Sequence, residues 1–333
     1  MQSRVDVSVL TPVLNEEAHI REAAEAMRAQ LFEGELELIF IDGHSDDSSA
    51  EILAELSRED PRIRVLDNPS RRTPQALNMG LRAARGEFVA RMDAHTLYPP
   101  AYLQAGVERL RRGGAEHVSG PQLAEGSGRW SRRVALALAS RFGTGGANFR
   151  HLHQSEIEIE SGFTGIWRRS TLEEQGGWDE EWWNDQDSEL AARIRKAGGR
   201  IVCLPEMGAR YVPRDSLQAL ARQYWRYGFY RAKTGGRHPE TMRHSHLLAP
   251  ALALAVLPAL AGSRAARAAL AAYALTVLGV SAATLPRAED PGDAAALPLV
   301  FACMHFPWGL GFLAGLVRWG PPLAAFRRLA GLR

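Results

Sequence analysis

Four clusters in the sequence combine residue types able to do chemistry. Asp93-Ala94-His95 follows residues 87–92, read below as a strand. In an extended segment, residues two apart face the same way. One divalent ion can therefore meet both the Asp93 carboxylate and the His95 imidazole, and such a mixed pair suits Mn²⁺ as well as Mg²⁺. The same residues also read as a polar strand end. Asp42-Gly43-His44-Ser45-Asp46-Asp47-Ser48 follows residues 36–41. A carboxylate there can accept from the N–H of a base, and glycine lets the chain turn close to a ligand. It also reads as an ordinary turn before a helix capped by Asp46 or Asp47. Asp187 precedes residues 188–197, a helical stretch stopped by Gly198-Gly199. A carboxylate at a helix N-terminus is favoured in the ionised state that a general base needs, and it can equally serve only as a cap. The fourth cluster, Gln223-Tyr224-Trp225-Arg226-Tyr227-Gly228 with Arg222, Arg231 and Lys233, suits either packing on a domain or lying at a membrane surface.

The elements that must position these groups alternate. Val5, Val7 and Val9 predict a strand, residues 17–31 a helix, 36–41 a strand, 48–57 a helix and 63–66 a strand. Thr73 followed by Pro74 reads as a hydroxyl cap with proline at the first helical position, opening a helix to about Arg85. Residues 87–92 make a fourth strand. This alternation predicts an α/β fold with a mostly parallel sheet, whose ligands gather beyond the carboxyl ends of the strands. Asn15, Asp42 and Asp93 fall at such ends.

Bulk properties narrow the classes. With 40 basic and 38 acidic residues and a net charge of +2, no field points to nucleic acid. Cys203 and Cys303 argue against a disulfide framework or a zinc site and fit a reducing compartment. The apolar run 7–14 is short, is broken by Pro12 and leads into Asn15-Glu16-Glu17, unlike a signal peptide. No Gly-x-Gly-x-x-Gly follows the first strand, which disfavours a dinucleotide oxidoreductase.

In their order, these motifs resemble the inverting family 2 glycosyltransferases of GT-A fold, over about residues 5–233. Residues 7–17 are similar to the opening strand and loop of that family, 41–48 to its base-binding turn, and 76–80 with 85–93 to the helix and strand leading to its metal motif. Residues 162–170 with Gly176-Gly177-Trp178-Asp179-Glu180 are similar to its acceptor-side segment. Gln186-Asp187 takes the place of its Glu-Asp catalytic motif. The Asp-Ala-His variant, Gln-Tyr-x-Arg-Tyr-Gly and the apolar tail most resemble the ExoA-like enzymes of exopolysaccharide synthesis. The resemblance implies transfer of a hexose from a UDP-sugar, with inversion, to a lipid-linked saccharide. It implies Pro12, Asn15, Glu16, Asp42, Asn78 and Asp93 on the nucleotide-sugar, Asp93 and His95 on Mn²⁺ or Mg²⁺, Asp187 as base, and Gly165, Gln223 and Arg226 at the acceptor. Two departures stand out: His95 replaces the second Asp of Asp-x-Asp, and Gln186 replaces the Glu, leaving Asp185 as a rival base. A non-catalytic scaffold of the same fold and a processive synthase are the alternatives.

Residues 1–235 are expected to form the catalytic domain, 236–246 a linker, 247–318 a membrane region and 319–333 a basic tail. Apolar segments run over 247–262, 268–285 and 297–317, against the ~20 residues that a spanning helix needs. The first contains Pro250 and Pro258, and His305 and Pro307 mark the third as a place for a break. Three spans would put Arg327, Arg328 and Arg333 opposite the catalytic domain, against the positive-inside tendency; two would not. The expected location is the cytoplasmic membrane, with the catalytic domain on the cytoplasmic side.

Overall fold

The computed structural model describes residues 5–145 and 153–332, so Arg333 lies outside the described residues. The chain divides into two compact units. One is Met1–Leu123 with His151–Tyr211, and the other is Ala124–Arg150 with Val212–Arg333.

The first unit carries strands β1 (Val7–Val13), β2 (Leu36–Asp42), β3 (Ile63–Asp67), β4 (Phe88–Arg91), β5 (Thr96–Leu97), β6 (His117–Ser119), β7 (Gln122–Ala124, whose last residue falls in the second unit), β8 (Ile157–Glu158), β9 (Gly165–Arg168), β10 (Ile201–Cys203) and β11 (Ala209–Tyr211). Eight of them form one sheet in the order β3-β2-β1-β4-β9-β6-β10-β8, and β5-β11-β7 form a small second sheet. β1 to β4 pair in parallel, while β9 runs antiparallel to both β4 and β6. All seven residues of β2 are buried, as expected for a parallel strand covered on both faces. Pro12 is tolerated in β1 because β4 pairs only Val7 to Leu10. Leu10 turns its carbonyl toward β4, where it accepts from Met92 N–H. Pro12, two residues on, faces the same side beyond the end of β4, where no ladder donor is required.

Helices Ile20–Arg28, Ser49–Glu59 and Thr73–Ala83 fall within the helices read from the sequence to within a few residues at each end. One local detail is corrected. Thr73 is already helical, Arg72 is the N-cap residue, and no side-chain cap bond forms there. Pro74 supplies the start through its fixed φ.

Apart from the end of β7, the regular structure of the second unit is helical among its described residues. Helix Leu217–Arg237 packs along Leu297–Trp319 at backbone contact distance: a Cβ on Gly228 would stand 1.9 Å from the Trp308 carbonyl oxygen, and one on Gly311 would stand 2.0 Å from that of Trp225. This contact places residues 217–237 in the second unit, whereas the sequence alone sets the boundary at 235. Pro307 does not break its helix, which continues from Leu297 to Trp319. Two helices, Arg264–Arg287 and Pro291–Trp319, are long and apolar enough to cross a membrane, and Ser245–Leu260 is shorter.

Candidate active site

The strand order reverses at β1, which has β2 on one side and β4 on the other. In an open α/β sheet such a reversal opens a crevice at the carboxyl ends, where ligands bind. The loop after β1 carries Asn15 and Glu16, and the loop after β4 carries Asp93 and His95. They meet across the gap, with His95 Nδ1 2.9 Å from Glu16 Oε1.

Arg91, the last residue of β4, lies at the centre. Its Nε donates to Asp93 Oδ1 at 2.8 Å, its Nη2 to Asp93 Oδ2 at 3.2 Å and its Nη1 to Asp187 Oδ1 at 2.6 Å. The three side chains are 8%, 12% and 16% exposed. The Asp93 backbone N–H donates to Tyr98 Oη at 2.7 Å, which anchors the turn. Asp187 stands in the first turn of helix Gln186–Lys196. Burial raises its pKa to about 7, with the Asp93 and Asp185 carboxylates adding to the rise and Arg91 opposing it. A carboxyl raised in this way can exchange a proton near neutral pH. Asp185 is the N-cap residue of that helix, with φ +63° and no side-chain cap bond.

The loops after β1 and β2 are tied to each other. Ser45 Oγ donates to Asp42 Oδ1 at 2.7 Å and accepts from the Asn15 N–H at 3.0 Å. The Asp46 N–H donates to Asn15 Oδ1, the Glu17 N–H to Asp47 Oδ2, and the Glu16 N–H to Ser49 Oγ. Asp47 Oδ1 also accepts from the Ser49 N–H, so Asp47 serves the start of helix Ser49–Glu59. Asn15, His44, Arg71 and Asp185 have left-handed φ values between +54° and +63°. Three of them sit in the loops after β1, β2 and β3, and the fourth leads into the helix of Asp187. Strain of this kind collects at functional sites.

Other expected residues fall elsewhere. The Asn78 amide is engaged within the protein: Nδ2 donates to the Trp178 carbonyl and to Glu180 Oε1, and Oδ1 accepts from the Trp178 N–H. It fastens the turn at 176–180 to helix Thr73–Ala83. A cleft of about 470 Å³ opens there, lined by Asn78, Leu81, Arg82, Glu173, Trp178 and Glu180 among others, and neither Asp42, Asp93 nor Asp187 lines it. Gly165 faces Arg91 across β4 and β9. Its φ is +146°, and a Cβ there would stand 2.4 Å from His117 Nε2, so a side chain is excluded. His117 itself is stacked on Trp167, and burial lowers its pKa to about 3, which keeps it neutral. Gln223 and Arg226 lie on helix Leu217–Arg237 of the second unit, where Gln223 Nε2 donates to Tyr227 Oη at 2.9 Å and Arg226 is exposed. The sequence reading missed Arg91 and Tyr98. The available signal was spacing, since Arg91 lies two residues before Asp93 and so shares its face of the strand.

Residues 8–176 match the family described as Glycosyl transferase family 2. The chain is 32% identical over 315 residues to the succinoglycan biosynthesis protein ExoA of Rhizobium meliloti (strain 1021), which covers 91% of this chain and 93% of that protein. Among solved structures it is similar to the mannosyltransferase PcManGT from Pyrobaculum calidifontis in complex with GDP-Man and Mn²⁺, with a TM-score of 0.61 at 20% identity over 94% of this chain and 88% of that one. It is also similar to S. aureus TarS 1-349 in complex with UDP-GlcNAc, with a TM-score of 0.51 at 14% identity over 98% and 93% of the two chains. At these identities the structural likeness carries the GT-A-like α/β fold. The family match over half of the chain and the near full-length likeness to ExoA carry the rest: the chain belongs to glycosyl transferase family 2 and is a glycosyltransferase.

Proposed function

We propose that this glycosyltransferase moves a hexose from a UDP-sugar to a hydroxyl of a lipid-linked saccharide, with inversion, at the cytoplasmic face of a membrane during exopolysaccharide synthesis. The observation that carries the reading is Arg91, one guanidinium bonded to both Asp93 and Asp187. The carboxylate assigned to the donor and the one assigned to the acceptor thus lie within a single side chain's span. The complexes of PcManGT with GDP-Man and of TarS with UDP-GlcNAc support a nucleotide-sugar donor, and the likeness to ExoA supports the exopolysaccharide setting.

Asp42, oriented by Ser45, accepts from the uracil N–H, while Asn15 and Glu16 shape the crevice wall. Pro12 lies near the end of β1, beyond its pairing with β4, and Asn78 acts from behind by holding the turn at 176–180. Asp93 faces the ribose and diphosphate. Asp187 takes the proton of the acceptor hydroxyl while that oxygen bonds to C1 and the C1–O bond to the diphosphate breaks on the opposite face. Gly165 keeps the strand beside Arg91 clear of side chain.

For the metal, no group of three His, Cys, Asp or Glu converges among the described residues. Asp93 and His95 would supply an oxygen and a nitrogen, donor types that suit a divalent ion, with Arg91 sharing the Asp93 carboxylate and Glu16 beside the His95 ring. Mn²⁺ or Mg²⁺ held there by Asp93 and His95 would offset charge on the leaving diphosphate.

Leu275 is 70% exposed and Val317 89% exposed on the two long apolar helices, which suits hydrocarbon surroundings. Arg318 and Lys233 lie over the Trp319 ring, a pairing suited to the headgroup level. The C-terminal helix Leu323–Leu329 folds back: Arg328 Nε donates to the Pro239 carbonyl at 3.1 Å, and His244 Nε2 lies 2.9 Å from the Leu329 carbonyl. Those contacts support both ends of the apolar region lying on one side of a membrane, which requires an even number of crossings between them. This supports two spans with Ser245–Leu260 lying at the interface.

The test is a screen of UDP-sugars with the full chain in nanodiscs and Mn²⁺ or Mg²⁺ present, reading UDP release. Turnover of one UDP-sugar supports the reading, and turnover of GDP-sugars alone overturns the donor. For topology, Ala330→Cys should react with an impermeant thiol reagent from the same side as the catalytic unit; reaction from the other side would mean an odd number of spans.

A further inference from the structure

We propose that Arg91 is a positioning residue that holds the base Asp187 through the donor-side carboxylate Asp93. The proposal rests on the glycosyl-transfer reading above and adds a residue that the motif resemblance does not include. The geometry has three parts. The backbone of Arg91 is fixed on both sides, paired with Leu10 on β1 and Gly165 on β9. Two of its nitrogens take both oxygens of Asp93, which fixes the guanidinium plane. The remaining nitrogen takes Oδ1 of Asp187 at 2.6 Å. Asp187 comes from a helix that begins just after the left-handed Asp185, 96 residues along the chain from Arg91. Arg91 is therefore the side chain that ties the base to the strand carrying Asp93.

A planar guanidinium can bridge two carboxylates in this way, while a lysine ammonium is a single point donor on a flexible stem. Arg91→Lys keeps the charge and loses the bridge. It should leave UDP binding by calorimetry within about threefold of wild type and lower kcat by about 30-fold or more, since small misplacements of a reacting group are costly. The decisive readout is a double-mutant cycle with Asp187→Asn. A residue that acts through Asp187 has nothing left to position once the base is gone, so Arg91→Lys should then cost less than about threefold. Free guanidinium ion should raise the kcat of Arg91→Ala only where Asp187 is present. If Arg91→Lys does not fold, Arg91→Gln is measured in the same cycle.

Multiplying losses in the double variant overturn the proposal, as does a UDP dissociation constant that rises in step with the fall in kcat, which would make Arg91 a donor ligand. A fully active Arg91→Lys overturns the clamp alone and leaves the functional reading intact. A wild-type chain that binds UDP but transfers no sugar overturns that reading and the clamp with it.

Discussion

In the first unit Val7, Val9, Leu10, Phe40 and Ile41 are fully buried, and so, nearly, are the charges of Arg91 and Asp93. In the second, Leu257 and Leu260 are each 76% exposed and Leu275 is 70% exposed, although these are among the most apolar stretches of the chain. One unit hides charge and the other displays hydrocarbon. Both placements are costly in water without a partner. The buried cluster is tolerable because Arg91 compensates both carboxylates, and burial there raises the pKa of Asp187. The exposed leucines are tolerable if their surroundings are not water. On the proposed function, each departure from the ordinary pattern falls where the molecule meets something other than itself.

The largest effect should come from the buried side of this comparison. Asp187→Asn preserves shape and removes the base, so turnover should fall by about two orders of magnitude or more while UDP binding stays; near-normal turnover would move attention to Asp185. In the wild type, Asp187 must be ionised to act and is held at about 7, so kcat/KM should rise with pH up to about 7 and level off above it. The sign for folding is opposite. A carboxyl raised from 3.8 to about 7 favours the folded state most fully below pH 4, and that contribution is lost as pH rises through 7. A flat kcat/KM profile between pH 5 and 8 would contradict the assignment.

Next comes the crevice rim. His95→Ala should weaken Mn²⁺-dependent UDP binding by about 10- to 100-fold, and EDTA should abolish turnover. With no group of three His, Cys, Asp or Glu converging among the described residues, Mn²⁺ affinity measured without UDP should be weak. Full activity in chelator would remove His95 from the ligand set.

The exposed side is sharpened by two glycines. Gly228→Val pushes a side chain into the Trp308 carbonyl and should cost about 1–3 kcal/mol, read as a lower thermal midpoint in detergent. Gly279→Ala points into open space and should be neutral or slightly stabilising. Equal effects would mean that the tight packing of Leu217–Arg237 on Leu297–Trp319 is wrong.

The smallest effect expected on activity is at Arg226. Arg226→Ala should lower transfer to a polyprenyl-diphosphate-linked sugar by about tenfold, the loss of one charge-assisted contact, while sparing donor hydrolysis. Equal loss in both assays would place Arg226 on the donor side or in folding.

The sequence by itself determined the alternating elements of the first unit and the strand ends bearing Asn15, Asp42 and Asp93. Periodicity and turn residues are local properties, readable within a window of ten or so residues. It also determined the apolar tail, since length and hydropathy need no partner to be seen. Only the tertiary structure decided which of these groups meet. Arg91 in a strand reads as one more charged residue until Asp187, far along the chain, is folded against it. Asn78 reads as a ligand-side amide until the turn at 176–180 takes up both ends of its side chain. Gly228 reads as part of an acceptor motif until a neighbouring helix backbone is found where its side chain would be. Thr73 and Pro307 misled for a related reason: each follows a local preference for capping or breaking a helix, and such preferences are worth only a few kcal/mol, which packing can override. Pairings across long sequence separations are set by the closure of the sheet and the packing of helices, and no local pattern encodes them.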